Sequence, residues 1–152
     1  MRLSKYVKDI EIDKEKRMLY SIRTRQYYVY PSDKKETIET LEYLKSKYEL
    51  VILTDWYGDQ QSKRLEKLDI LKYFLKVYSA EKTKRKPFNE SFMQAIGTNK
   101  PEECIMIGDN LERDIKGALN AGLQAIYYNP NHKEFDIECT DISKIEELRN
   151  IL

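Results

Sequence analysis

The chain has 152 residues, 41% of them apolar and 35% charged, with 27 basic side chains against 26 acidic ones. That length suits one domain with one core, and a net charge of +1 argues against nucleic-acid or membrane-surface binding driven by bulk charge. No apolar run approaches the length of a membrane span, and Met1-Arg-Leu-Ser-Lys5 lacks a signal-peptide core. Two scattered cysteines, Cys104 and Cys139, fit a reducing compartment better than a disulfide framework, so a cytoplasmic protein is expected. A lone histidine, His132, excludes a His-rich metal site.

Residues 1–30 are the least legible. Leu3, Val7 and Ile10 are spaced like one helical face, and Leu19, Ile22, Tyr27 and Tyr30 would continue a helix. Gln26-Tyr-Tyr-Val-Tyr30 would equally serve as a strand by its tyrosine and valine content. Pro31-Ser-Asp33 breaks what precedes it, and Asp33 with Glu36 makes a capping pattern. The helix that follows carries Ile38, Leu41, Leu44 and Tyr48 on one face. Leu50-Val-Ile-Leu53 reads as a buried strand ending at Thr54-Asp55. Helical stretches around Leu65, Leu68 and Ile70–Phe74 come next, then a short strand at Val77-Tyr-Ser79. A charged loop, Glu81–Lys86, stops at Pro87, and Phe88, Phe92, Met93 and Ile96 mark another helix. Ile105-Met-Ile107 is a third buried run, ending at Gly108-Asp109. Leu111, Ile115, Ala118 and Leu119 then repeat at helical spacing until Gly122. Ala125–Tyr128 is a further strand. Ser143 with Glu146 caps a last helix carrying Ile145, Leu148 and Leu152.

Strands that are continuous apolar runs, separated by helices, imply a parallel sheet covered on both faces. The expected fold is therefore α/β, a three-layer Rossmann-like sandwich. The C-terminal ends of parallel strands share one edge, where such sheets place ligands. Thr54-Asp55, Lys86, Asp109 and Asp114 would converge there. Two carboxylates without histidine or cysteine suit a hard cation, Mg²⁺ above all. A lysine and a hydroxyl near helix N-termini suit a phosphate. Each residue also has a plainer role: Thr54 as a strand end, Lys86 as a solvated loop lysine, Asp109 as a helix cap. The tyrosines of the first thirty residues suit packing, since little basic interleaving accompanies them.

Taken together, residues 31–130 resemble the haloacid dehalogenase superfamily of phosphohydrolases. Leu50-Val-Ile-Leu-Thr54 looks like that family's second motif, Lys86-Pro87 like its third, and Gly108-Asp109 through Asp114 like its fourth. The separations, 32 residues from Thr54 to Lys86 and 23 from Lys86 to Asp109, are of the size the family shows. The run from Gly108 to Gly122 is most similar to the nucleotidase-like branch. The resemblance implies a Mg²⁺-dependent hydrolase of a small phosphorylated metabolite, without nucleic-acid or membrane partners. Thr54 would hydrogen-bond the phosphate, and Asp55 would offer its backbone N–H. Lys86 would neutralise phosphate and nucleophile. Asp109 would ligate the metal, and Asp114 would hold either the metal's waters or Lys86.

Two departures stand out. Asp55 occupies a place where asparagine is more usual. The family's nucleophile motif, Asp-x-Asp-x-Thr after a central strand, has no recognisable counterpart. Residues 31–152 are then the core, and residues 1–30 an N-terminal segment that reads as the remnant of a helical cap. A missing N-terminal portion, a second chain, a non-catalytic domain whose gap Gln26–Tyr30 fills, or an unusual use of Asp9 or Asp13 would each account for the vacancy. A catalytically inactive domain that binds a ligand or partner is the alternative function.

Overall fold

The computed structural model describes the backbone of residues 17–20 and 31–33, and backbone and side chains of residues 34–152. Expectations for Leu3, Val7, Ile10, Ile22 and Gln26–Tyr30 lie outside the described residues. Among the described residues six strands form one sheet: β1 (Arg17–Tyr20), β2 (Glu49–Thr54), β3 (Lys76–Ser79), β4 (Ile105–Gly108), β5 (Gln124–Tyr128) and β6 (Thr140–Ile142). Their order is β3-β2-β1-β4-β5-β6, and every pairing is parallel. The fold is the expected α/β sandwich, with β6 an edge strand the sequence did not advertise.

Alternation along the strands builds both cores. Leu50 and Ile52 of β2, with Ile105 and Ile107 of β4, face helices α1 (Pro31–Lys45), α2 (Gly58–Lys67) and α5 (Leu148–Ile151). Val51, Leu53 and Met106 face the other way, onto Phe92, Ala95 and Ile96 of α3 (Asn89–Ile96) and Ala118 of α4 (Gly117–Asn120). A strand buried on both sides must be apolar at every position, which is why these runs do not alternate.

Leu19 belongs to a strand, not to a helix. Met18 stands opposite Leu50 on one side and Ile105 on the other, so Arg17–Tyr20 takes the centre of the sheet. Pairing with β2 on one edge and β4 on the other satisfies its main-chain groups within the sheet. The first helix begins at Pro31, ahead of the Asp33 expected to cap it; proline is well suited to a helix start because its missing N–H is not needed there. At the last helix, Ser143 and Lys144 donate to Glu147 rather than Glu146. Among the described residues, no helix is long and apolar enough to cross a membrane.

Glu81 caps α2 from outside. Its Oε2 accepts the Gly58 N–H at 2.9 Å and the Ser79 hydroxyl at 2.8 Å. The Gly58 N–H first, then the Ser79 hydroxyl, hold this carboxyl below its usual range. A depressed folded-state value stabilises above the unfolded pKa and is lost as pH falls through the folded one. Protection of the Gly58 amide against hydrogen exchange, corrected for intrinsic rate, is thus expected to persist below the ordinary glutamate range and then collapse. In Glu81→Gln that step is absent. A step in the variant at the same pH refutes the assignment.

Candidate active site

The sheet reverses its order of addition around β1: β2 and β3 extend one way, β4 to β6 the other. Crevices form at the carboxyl ends of strands at such switch points. Thr54 ends β2 there, buried, and its Oγ1 accepts the Trp56 N–H at 3.2 Å. A hydroxyl that accepts keeps its proton for donation elsewhere.

β4 ends at Gly108, and the chain continues into a π-helical turn, Leu111–Lys116. Asn110, not Asp109, caps this turn, its Oδ1 accepting the Arg113 N–H at 2.8 Å. The Asn110 carbonyl accepts N–H groups from both Asp114 and Ile115, which widens the turn by one residue. Of the expected apolar face, Ile115 and Ala118 are buried but Leu119 is exposed.

The same turn drives Asp114 back against the strand end. Asp114 Oδ1 lies 2.6 Å from Lys86 Nζ, with the two side chains 2% and 3% exposed. Oδ2 accepts the Asn110 N–H at 3.0 Å. Lys86 Nζ also donates to the Leu53 carbonyl at 3.3 Å, which places the ammonium one residue from Thr54. Lys86 is therefore not a solvated loop lysine. Of the two roles open to Asp114, a direct hold on Lys86 is the one its contacts display.

Asp55 Oδ1 accepts the Lys86 main-chain N–H at 2.9 Å, and Oδ2 lies 3.5 Å from Arg113 Nη1. Its side chain is thus turned to Lys86 and Arg113. Asp109, half-buried, stands just past β4. Asp55, Lys86 and Asp114 form one connected cluster; Thr54 adjoins it through its chain neighbours Leu53 and Asp55, and Asp109 through Gly108 and Asn110. Sequence reading missed Asn110 and Arg113; an asparagine three residues before an arginine at a helix start was a capping signal available to it. The Leu53 carbonyl left no signal, because any residue offers one.

As a cation site the donor set is partial. Asp109 offers an oxygen arm of the kind Mg²⁺ takes, but both Asp114 oxygens are engaged. Among the described residues no group of three or more His, Cys, Asp or Glu side chains could hold a metal ion. These residues alone do not make a closed metal centre.

A buried lysine–aspartate pair thus stands one residue along β2 from the Thr54 hydroxyl, at the switch point of a parallel α/β sheet. The chain belongs to the haloacid dehalogenase-like hydrolases, whose family pattern matches residues 3–128. It is 32% identical over 109 residues to the pyrimidine 5'-nucleotidase PynA of Streptococcus pneumoniae, covering 69% of this chain and 46% of PynA. It is 30% identical over 117 residues to the ribulose-1,5-bisphosphate 5-phosphatase of Halopiger xanaduensis, covering 75% and 48%. The crystal structure of the HAD-hydrolase YfnB of Bacillus subtilis, bound to magnesium, superposes with a TM-score of 0.71 at 31% identity, covering 77% of this chain and 54% of YfnB. The match to PynA agrees with the nucleotidase-like branch indicated by the run from Gly108. The chain spans about half the length of the relatives it matches.

By the motif resemblance, the family's nucleophile follows the central strand directly. Here β1 ends at Tyr20, and the next residues in sequence are Ser21, Ile22 and Arg23, none of them a carboxylate. Asp9, Glu11 and Asp13 precede β1 and lie outside the described residues.

Proposed function

We propose that this chain is the phosphate-binding core of a cytoplasmic, Mg²⁺-dependent phosphomonoester hydrolase acting on a small phosphorylated metabolite, with nucleoside monophosphates among the candidates. The observation that carries this reading is the buried Lys86–Asp114 pair set against the Leu53 carbonyl, one residue from the Thr54 hydroxyl. Burying a lysine is costly unless the ammonium is paired and used. Placed so, it offers positive charge to a phosphate where little water screens it. Thr54 donates its proton to a phosphate oxygen, and helix N-termini add their N–H groups. Asp109 holds the metal, which supplies charge neutralisation when bound. PynA and the Halopiger phosphatase, both named for phosphate hydrolysis, support the substrate class. The nucleophilic carboxylate comes from outside residues 31–152, from an N-terminal portion or a second chain.

A second reading is a domain that binds phosphate without hydrolysing it. Ser21-Ile-Arg23 after β1 favours it, since neither serine nor arginine there supplies a carboxylate nucleophile. One experiment separates the two: hydrolysis of p-nitrophenyl phosphate and of nucleoside monophosphates across a Mg²⁺ titration, with orthophosphate binding followed in parallel. Mg²⁺-dependent turnover that falls to background in Asp109→Asn is the expected result for the hydrolase. Orthophosphate binding without turnover at any metal concentration selects the binding domain. Neither binding nor turnover overturns both.

A further inference from the structure

The Asp55 carboxylate stands between two donors, and we propose that it is a positioning residue for Lys86, with Arg113 as the cation that makes a carboxylate necessary there. Asp55 Oδ1 takes the Lys86 main-chain N–H at 2.9 Å, and Oδ2 faces Arg113 Nη1 at 3.5 Å. An asparagine has only one acceptor oxygen. If that oxygen took the Lys86 N–H, its NH₂ group would confront the guanidinium, donor against donor. Only a carboxylate satisfies both neighbours.

The contacts close a ring. Asp55, at the end of β2, holds the main chain of Lys86. The Lys86 ammonium holds Asp114 on the π-helical turn at 2.6 Å. Arg113, adjacent to Asp114 on that turn, returns to Asp55. The Asn110 cap on the Arg113 N–H fixes the backbone from which the arginine extends. Lys86 is thereby gripped at both its main chain and its ammonium, by two carboxylates on different elements. Arg113 is 58% exposed and Asp55 17%, so their ion pair adds little to stability by itself. Its effect is orientational: it keeps the Asp55 carboxylate turned so that the other oxygen meets the Lys86 N–H. A positioning contact of this kind sets where the ammonium sits relative to Thr54.

Hydrogen exchange at the Lys86 amide tests this without any ligand. Asp55→Ala is expected to lower protection of that amide by about tenfold or more, the fold-change of one hydrogen bond to a charged acceptor. The near-isosteric set Asp55→Asn, Arg113→Ala and their double variant then reads the coupling. Asp55→Asn is expected to cost about fivefold with Arg113 present and less than about twofold once Arg113 is removed, because the donor conflict has gone. The same pattern is expected in orthophosphate affinity, at unchanged urea midpoint, which a purely structural role would not produce. The ligand arm rests on the phosphate reading above; if wild type binds no orthophosphate, that reading fails and the exchange arm still decides this one. Equal Asp55→Asn effects in both backgrounds overturn the proposal. So does unaltered Lys86 protection in Asp55→Ala. Should Asp55→Ala fail to fold, the near-isosteric set decides between these outcomes.

Discussion

Lys86→Met is expected to destabilise the fold by about 3–5 kcal/mol, the cost of removing one partner from a buried ion pair. Methionine keeps most of the stem's volume and loses the ammonium. Asp114 would be left at 2% side-chain exposure with the Asn110 N–H still donating to it but without the Lys86 ammonium. The Leu53 carbonyl would lose a donor as well. Urea unfolding reads the effect directly as a shift in midpoint. Adding Asp114→Asn to Lys86→Met is expected to recover most of the loss, because no net charge is then buried. Orthophosphate binding is expected to stay lost in both variants, since the cation itself is gone. Recovery of stability without recovery of binding separates the two roles of Lys86. A midpoint within error of wild type in Lys86→Met would mean that the pair is solvated in solution.

The uneven legibility of the chain has physical causes. Leu50–Leu53 and Ile105–Ile107 were readable as buried strands because burial on both faces forces an unbroken apolar run. The lysine before proline and the Gly-Asp pair were readable because their spacing follows those strands. Arg17–Tyr20 was not readable: its apolar part, Met18-Leu-Tyr20, is short and directly follows the charged stretch Lys14–Arg17, and its place is fixed by pairing with Leu50 and Ile105 across the sheet. Thr140–Ile142 has three residues and a polar middle, so it too is defined by its neighbour, β5. The π-helical turn escaped because one extra residue changes the phase of a helix without changing its composition. That turn is what brings Asp114 onto Lys86 and Arg113 onto Asp55. The chemical types of the site were therefore visible in the sequence, whereas the contacts among them depend on backbone geometry that no spacing rule encodes.

Gly108 shows how tightly that geometry is drawn. A Cβ at this position would lie 2.4 Å from both Cβ and Oδ2 of Asp114 and 2.6 Å from its Cγ. Side chains do not approach so closely, and Asp114 has no room to yield. Its Oδ1 is held by Lys86 and its Oδ2 by the Asn110 N–H. Gly108→Ala must therefore displace the π-helical turn or break the buried pair, and is expected to cost about 3 kcal/mol or more. Gly58 offers a contrast on the same molecule. A Cβ there would meet Glu81 and Ser79 at 3.4 Å, an ordinary contact, so Gly58→Ala is expected to be neutral or to stabilise by up to about 1 kcal/mol through lost chain entropy. If the cost at Gly108 arises from the Asp114 side chain, it will not add to the cost of removing that side chain. Placing Gly108→Ala on Asp114→Gly is then expected to destabilise far less than on the wild-type background. Additive costs in urea unfolding would assign the penalty to the backbone of the strand end instead. That would leave the Lys86–Asp114 pair free to shift without Gly108.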